Sequence, residues 1–335
     1  GLTFTKAAAS EMALRINETL SEWTIAPEET LIEKLEKLLG RTPEKTEIAA
    51  ARKLFAQVID TPGRLKIMTI HAFCQSILSR FPIEAKIVPG FEVAEDRTAQ
   101  EYLTQAKNRV LSTAVKDKAS PVNAALQNLS RTIDEDKLSQ LITAIASERG
   151  QLKKMLEKHF DINGYYTALC QSLDILPDQS AAQIIDIACM DENFERTGLK
   201  ECADAMAQSG KTDIANADKI YTFLAADHQT RTNIFDEYAS AFLTQSGKIR
   251  AKLMGKKITD ASPQLGEIMQ NEALRIDATY NAIKSSQVAS LSRDLLLIAN
   301  EILDHYASIK VQHNMLDYED LIIKTSTLMK TSGAW

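Results

Sequence analysis

Two stretches of sequence decide the fold: residues 2–12 read LTFTKAAASEM, and residues 66–75 read KIMTIHAFCQ. In each, a short apolar segment ends in threonine and a helical pattern follows at once. A helix start presents backbone N–H groups and the positive end of the helix dipole. Two such junctions, side by side at the carboxyl edge of a parallel sheet, would form a track for phosphate groups.

The composition is that of an ordinary globular protein and limits the classes of function. The chain has 335 residues, of which 44% are hydrophobic and 25% charged, and its formal net charge is −6. This length accommodates two or three domains. The acidic balance argues against a general nucleic-acid-binding surface, so such a ligand would need a narrow groove of backbone N–H groups. No apolar run is long enough to predict a membrane span.

The four cysteines do not predict a metal site. Cys74, Cys170, Cys189 and Cys202 lie in helical apolar patterns and form no CxxC pair. Buried, reduced thiols of a cytosolic protein are therefore the better interpretation than zinc ligands. The remaining histidines are scattered without metal-ligand spacing, and we expect neither metal-binding nor catalytic residues.

Strand signals are few and helical periodicity dominates. We predict strands at Leu2–Thr5 and Leu65–Thr69, with a weaker one at Gly90–Val93. From Asp96 to Met315 the pattern predicts an almost uninterrupted series of helices. Long helical segments are expected at 219–244 and at 291–312. The chain as a whole is thus predicted to be mainly α.

Helix-start signals support these elements. Ser120-Pro121 and Ser262-Pro263 each combine an N-cap residue with proline at the first helical position. Near the end, LDYEDLI (residues 316–322) predicts a helix with Asp317 as N-cap, in which Leu316 and Leu321 form a hydrophobic staple. The three acidic residues of this segment (Asp317, Glu319 and Asp320) are interpreted as caps and dipole partners rather than catalytic carboxylates.

Several residues at the two junctions are candidates for binding a polynucleotide. Thr5 and Thr69 can cap their helices, and Lys6 adds a positive charge beside small alanines. Phe4 either stacks on a base or belongs to the core. His71, in a first helical turn, is either a neutral N–H donor to phosphate or a structural histidine. Phe73 continues the apolar pattern of its helix and is expected in the core.

Two further stretches each allow more than one interpretation. Residues 246–257 form a basic stretch that contains no acidic residue and is either a solvated loop or a phosphate-contacting one. Its charged members are Lys248, Arg250, Lys252, Lys256 and Lys257. Residues 209–212 read SGKT, which resembles part of a phosphate-binding loop. The first glycine of such a loop is replaced by Ala205, and a helical pattern precedes it instead of a strand. We therefore expect a helix–helix connection there.

Three motifs, in order, resemble those of one enzyme family. Residues 3–12 resemble motif Ia of superfamily-one DNA helicases of the UvrD/RecB/AddA group. Residues 69–75 resemble the TxHxFC motif in its AddA and RecB form. Residues 316–322 resemble the LDYxDLI segment that precedes the Walker B motif. Residues 242–247 and the basic stretch after them resemble part of the helical insertion of AddA-type helicase–nucleases.

The resemblance implies a domain organisation and a function. An incomplete RecA-like α/β motor subdomain (1A) would comprise residues 1–95 and 317–335, with a large all-helical insertion (1B) at 96–316. The parent protein would be an ATP-dependent DNA helicase with a nuclease domain, acting in double-strand-break repair in the bacterial cytoplasm at the nucleoid. The threonine junctions would hold single-stranded DNA, and the insertion would lie beside the duplex junction. A partner of the AddB type is also implied.

The sequence also departs from the family pattern. Simpler helicases of this group often have asparagine between the second threonine and the lysine, whereas here Thr5 is followed directly by Lys6. The asparagine contact therefore has no matching residue, and Lys6 is its substitute. No GxxxxGK[ST] motif precedes the first motif and no DExx box follows the last. We therefore expect an internal fragment without an ATP site, with ATP and Mg²⁺ bound elsewhere in the parent.

Two rival hypotheses stay open at this point. The acidic charge and helix-rich middle suit a helical protein-interaction scaffold in which the motifs occur by chance. A catalytically dead helicase paralogue would retain the motifs without the activity.

Overall fold

The computed structural model describes residues 1–60 and 66–331, which are mainly helical, as predicted. The helices are α1 (Lys6–Ile25), α2 (Glu28–Leu39), α3 (Lys45–Asp60), α4 (Ile70–Arg80), α5 (Asp96–Lys116), α6 (Pro121–Leu129), α7 (Glu135–Ser147), α8 (Arg149–His159), α9 (Ile162–Ser172), α10 (Ala181–Ala188), α11 (Arg196–Met206), α12 (Lys211–Ala225), α13 (His228–Asn233), α14 (Phe235–Ala239), α15 (Lys256–Ala261), α16 (Pro263–Gln312) and α17 (Tyr318–Thr331). The strands are β1 (Leu2–Thr3), β2 (Met68–Thr69), β3 (Glu92–Val93) and β4 (Met315–Leu316).

The strands form two short parallel pairs. β1 pairs with β2, with Leu2 opposite Met68 and Thr3 opposite Thr69. β3 pairs with β4, which was not predicted from the sequence. The three predicted strands are present but shorter than expected, and Leu65, the first residue of the second, lies outside the described residues, as do the last four residues of the predicted 317–335 segment.

Capping side chains explain where the helices start. The Oγ atom of Ser120 accepts a hydrogen bond from the N–H of Asn123 at 3.1 Å, and Pro121 opens α6, which confirms that predicted start. α16 likewise begins at Pro263, directly after Ser262. In each case proline loses no hydrogen bond, because the first N–H groups of a helix have no intrahelical acceptor.

Two predicted helical segments have different bounds in the structure. The segment 219–244 is not one helix: α12 ends at Ala225, and Asp227 caps a new helix by accepting a hydrogen bond from the Thr230 N–H at 2.8 Å. An aspartate side chain competes for backbone groups in this way and favours a helix start over a continuation. The segment 291–312 starts earlier than predicted, because it is the second half of the 50-residue α16.

The chain divides into two compact units. We call Gly1–Ala106 together with His305–Trp335 the terminal unit, and Lys107–Asp304 the central unit. Both pairs of strands belong to the terminal unit, and α5 and α16 each contribute residues to both units.

The terminal unit has two apolar clusters among its described residues. In the first, α4 packs on α17 and on the segment around Phe91, with Cys74, Leu78 and Leu321 as buried members. Phe73 packs against this cluster, which confirms its predicted place. In the second, α2 packs against α1 and α3, with Leu31 fully buried. Burying one leucine side chain contributes about 1.5–3 kcal/mol to the free energy of unfolding. The buried leucines of the first cluster therefore hold α4 and α17 firmly together.

The central unit has a larger apolar cluster built from α11, α12, α14 and part of α16. Phe223 and Tyr238 stack in it with ring centroids 3.8 Å apart. Two of the four cysteines, Cys189 and Cys202, belong to this cluster. All four are buried free thiols, as predicted. Burial raises the pKa of the Cys189 thiol to about 11 and that of Cys202 to about 12.

Within the described part of the chain, none of the helices is both long and apolar enough to cross a lipid bilayer.

Candidate nucleic-acid interface

The two threonine junctions lie side by side at one edge of a strand pair. β1 and β2 run parallel, and Thr3 lies opposite Thr69 at their carboxyl ends. α4 begins at Ile70, directly after β2, and α1 begins at Lys6, three residues after the end of β1. Two helix N-termini therefore start from the same edge of the pair, which confirms the arrangement predicted from the sequence.

Both predicted capping threonines cap their helices. The Oγ1 atom of Thr5 accepts a hydrogen bond from the Ala8 N–H at 3.1 Å, and Oγ1 of Thr69 accepts one from the Ala72 N–H at 3.2 Å. Each threonine has extended backbone, which directs its side chain back over the first turn. The caps use the third N–H group of each helix. The first two N–H groups of each helix have no helical carbonyl before them that could accept their hydrogen bonds. They therefore point away from the helix at this edge.

The surface around the first junction is open to solvent. Phe4 is 86% exposed, so the structure places it outside the core and leaves its ring available for contact. Lys6 and the alanines at 7 and 8 are exposed too, whereas Ala9 is buried. The small side chains leave the backbone of the first turn accessible to a large ligand.

Thr3 is a residue of this site that sequence reasoning missed. It is buried, and its Oγ1 donates a hydrogen bond to the carbonyl oxygen of Thr5 at 3.1 Å. This bond orders the short connection between β1 and α1, and thereby the position of the cap. The alternation of threonines at 3 and 5 was a signal that could have indicated it.

The second junction contacts the third motif. His71 is half-buried, and its ring centroid lies 4.8 Å from that of Tyr318 with a tilt of 54°. Tyr318 is the first residue of α17, whose helix packs on α4 in the apolar cluster described above. This contact was not predicted from the sequence, because residues so distant along the chain meet only in the tertiary structure.

The start of α17 carries a buried charge cluster. Asp317 caps the helix as predicted, since its Oδ1 accepts from the Asp320 N–H at 2.9 Å. The Oδ2 atom of Asp317 lies 2.9 Å from Nζ of Lys310 and accepts a hydrogen bond from the Tyr306 hydroxyl at 2.6 Å. Lys310 also bonds to Asp320. Leu316 and Leu321 lie in one apolar cluster, as a staple requires. No pattern in the sequence predicts that Lys310 pairs with these carboxylates.

The basic stretch lies in the central unit and has an ordered backbone. The N–H of Thr244 donates to the carbonyl of Lys248 at 2.8 Å, and Gly247 takes the left-handed conformation, with φ 73°, that closes this turn. The guanidinium of Arg250 donates two hydrogen bonds to the carbonyl oxygen of Ser240, at 3.1 and 2.9 Å. The four lysines of the stretch (Lys248, Lys252, Lys256 and Lys257) are all exposed. Arg250 thus ties the segment that follows this turn to the end of α14, at Ser240.

The tetrapeptide at residues 209–212 lacks the strand–loop–helix context of a loop that binds a nucleoside triphosphate. It connects α11 to α12, as expected, and no strand precedes it among the described residues of this region. The Ser209 hydroxyl donates to Oδ2 of Asp213 at 2.7 Å, and the same oxygen accepts from the Gly255 N–H at 3.0 Å. The Ser209 hydroxyl is therefore paired with a carboxylate of the same connection. Within residues 1–60 and 66–331, moreover, no group of three His, Cys, Asp or Glu side chains is arranged to hold a metal ion.

Comparison with known proteins agrees with the three motifs. The model of the UvrD/REP helicase N-terminal domain family matches residues 1–334. An ATP-dependent helicase/nuclease protein of Desulforamulus reducens is 31% identical over 99 residues, which are 30% of this chain and 6% of that protein. The matched region thus spans a small part of that relative's length. The resemblance inferred from the sequence is confirmed, and the chain belongs to the UvrD/REP helicase N-terminal domain family.

Proposed function

We propose that this chain supplies single-stranded DNA contacts to an ATP-dependent DNA helicase, through the paired helix starts headed by Thr5 and Thr69. One observation carries the proposal: the register of Thr3 opposite Thr69 brings two capped helix N-termini to the same edge. Helix N-termini bind phosphate because N–H groups and the helix dipole both favour negative charge there.

The residues of the first junction have distinct roles in this proposal. The N–H groups of Lys6 and Ala7 face a phosphate, and the Lys6 ammonium adds a charge beside it. The exposed ring of Phe4 stacks on a base, a contact that does not depend on sequence because every base has an aromatic face. Sequence-independent binding is what a protein moving along DNA requires.

The second junction adds a further phosphate contact. The N–H groups of Ile70 and His71 point from the start of α4, and the imidazole of His71 donates a hydrogen bond to a phosphate oxygen. The Tyr318 ring limits the orientations of that imidazole.

The remaining parts of the proposal concern domains and the larger protein. Residues 1–95 and 317–335 form the motor subdomain, and the helical insertion 96–316 lies beside the duplex, where the lysines of the basic stretch contact phosphates. The parent protein binds ATP and Mg²⁺ at sites outside the residues described above, carries a nuclease domain and has an AddB-type partner. Its setting is double-strand-break repair in the bacterial cytoplasm. The helicase/nuclease relative supports this class.

The test is the affinity of the chain for a fluorescently labelled single-stranded oligonucleotide, measured by anisotropy over a range of salt. We expect weak binding that does not depend on base sequence and falls steeply between about 50 and 200 mM salt, because phosphate contacts dominate. The chain alone is expected to show no ATP hydrolysis. Absence of binding at low salt, or an affinity that salt does not change, would contradict the proposal.

A helical interaction scaffold is the second candidate function, favoured by the net charge of −6 and by the helix-rich middle of the chain. It predicts no DNA binding at any salt concentration, so the same titration separates the two. A catalytically dead helicase would bind DNA like an active one, and ATP hydrolysis by the parent protein would distinguish them.

A further inference from the structure

Lys310 is a buried cation in the last turn of α16. Its side chain is 4% exposed, and its Nζ atom bonds to one oxygen each of Asp317 and Asp320. The ammonium also lies 4.2 Å from the ring centroid of Tyr306, whose hydroxyl donates to the same Asp317 oxygen. A lysine at such a position is unusual, because a buried ammonium is unfavourable unless it is paired and hydrogen-bonded.

The cluster keeps two carboxylates together at the first turn of α17. The side chains of Asp317 and Asp320 are 8% and 16% exposed, and each accepts a hydrogen bond from the other's backbone N–H. Two buried carboxylates this close repel one another unless a cation lies between them. Without the Lys310 ammonium, this repulsion would be relieved by a rearrangement of the first turn of α17 or by protonation of one carboxylate.

The first residue of that turn is Tyr318, whose ring contacts His71. The apolar cluster between α4 and α17 includes leucines on both sides of that turn, Leu316 and Leu321, as well as residues further along both helices. It fixes the two helix bodies and the ends of the turn, while the charge cluster holds the polar side chains within the turn. The orientation of the Tyr318 ring depends on that first turn, and the turn depends on the charge cluster.

We propose that Lys310 is a positioning residue for the DNA-contacting imidazole of His71, acting through Asp317, Asp320 and the Tyr318 ring. This inference rests on the proposed function of His71 and adds the device that holds its side chain. Stability alone does not require such a cluster, because apolar residues of similar size often stabilise a buried site equally well. The hydrogen bonds from Lys310 instead hold the two carboxylates of the first turn of α17 in one arrangement.

The first experiment observes His71 without DNA. The ring ¹H–¹³C NMR signals of His71, assigned with a His71→Gln variant, carry a ring-current shift from Tyr318. In Lys310→Met these signals are expected to move, while the methyl signals of Leu78 and Leu328 stay. Lys330→Met, at the exposed far end of α17, is the matched control and should change neither. Unchanged His71 signals in folded Lys310→Met would overturn the inference.

A rescue variant separates charge balance from general damage. Asp320→Asn removes one of the two carboxylate charges, so in the double variant Lys310→Met/Asp320→Asn the repulsion at the first turn of α17 is relieved. The His71 signals should return toward their wild-type positions. If Lys310→Met does not fold, Lys310→Arg, which keeps the charge but changes its geometry, takes its place with a smaller expected shift.

The second experiment is a double-mutant cycle on DNA affinity. Lys310→Met should lower the affinity about threefold to tenfold in the wild-type background, and by less than about twofold in a His71→Ala background, because coupled residues are not additive. Equal losses in both backgrounds would show that Lys310 does not act through His71. If the wild-type chain binds no DNA, the proposed function fails, and the NMR experiment still decides whether Lys310 positions the His71 ring.

Discussion

Thr3 lies directly opposite Thr69 in the parallel pair formed by β1 and β2. Because each strand leads to a helix within three residues, this one register places the N-termini of α1 and α4 at the same edge. Neighbouring strands in a sheet are about 4.8 Å apart. The N–H groups of both helix starts are therefore close enough to act on consecutive parts of one extended ligand.

Loss of either cap should weaken both folding and DNA binding. Thr5→Ala and Thr69→Ala each remove a side-chain acceptor from a helix start and should lower the free energy of unfolding by about 1 kcal/mol. Urea unfolding measures this. Thr19→Ala is the control, since the exposed hydroxyl of Thr19 bonds to the Arg15 carbonyl within α1 and its loss should cost less than about 0.5 kcal/mol. Equal effects of all three changes would contradict the capping argument.

Removal of the Lys6 charge should change the salt dependence of DNA binding. Lys6→Ala removes one phosphate contact, so the slope of log affinity against log salt should fall by about one unit. Anisotropy titrations at several salt concentrations measure the slope. Lys53→Ala, a lysine on α3 that is exposed, is the control and should leave it unchanged. A Lys6→Ala slope equal to that of the wild type would exclude this lysine from the interface.

The exposed ring of Phe4 should contribute to affinity without contributing to stability. Phe4→Ala should lower the affinity for single-stranded DNA by about 1–3 kcal/mol, the range of one base–aromatic stacking contact. The unfolding free energy should hardly change, because the side chain is 86% exposed. Ile25→Ala, an 82% exposed residue at the other end of α1, is the matched control. Equal affinities for both variants would place Phe4 outside the interface.

Arg250 should differ from the lysines beside it. Arg250→Ala breaks two hydrogen bonds to the carbonyl oxygen of Ser240 and should destabilise the central unit by about 1–3 kcal/mol. Lys252→Ala removes an exposed charge and should change stability by less than about 0.5 kcal/mol while lowering DNA affinity at low salt. Thermal unfolding and anisotropy measure the two effects. The interpretation of Arg250 as an anchor fails if its removal leaves the unfolding temperature unchanged.

Buried Cys189 should make stability fall at alkaline pH. Burial raises its pKa from 9.0 to about 11, so the folded state keeps the thiol protonated at pH values where the unfolded chain has begun to lose the proton. This contribution is fully present below pH 9.0 and is lost as the pH rises toward about 11. The difference in unfolding free energy between the wild type and Cys189→Ala, measured across this range, isolates it. A difference that does not change with pH would contradict the prediction.

Local sequence signals predicted the helix starts well and the long-range pairings poorly. Ser120, Thr69 and Asp317 were identified as caps because a cap and its partner lie three residues apart. β4, by contrast, is two residues long and exists because Glu92–Val93 lies beside it. Nothing in its own sequence marks it as a strand. The exposure of Phe4 likewise could not be predicted, because the four residues of the predicted strand Leu2–Thr5 are too few to show which face of the strand is buried.

The amino-acid sequence by itself determined the helical class and the two threonine-capped junctions, since these depend on contacts between near neighbours along the chain. It also determined the membership of the helicase family, since the three motifs are read directly from the residues. Tertiary structure decided which strand lies beside which and that Phe4 faces solvent. It also decided that Lys310 bonds to Asp317 of the third motif and that Tyr318 contacts His71 of the second. The reason is physical: burial of a charge or contact of two rings depends on the positions of segments that can be hundreds of residues apart. Local pattern carries no record of such positions.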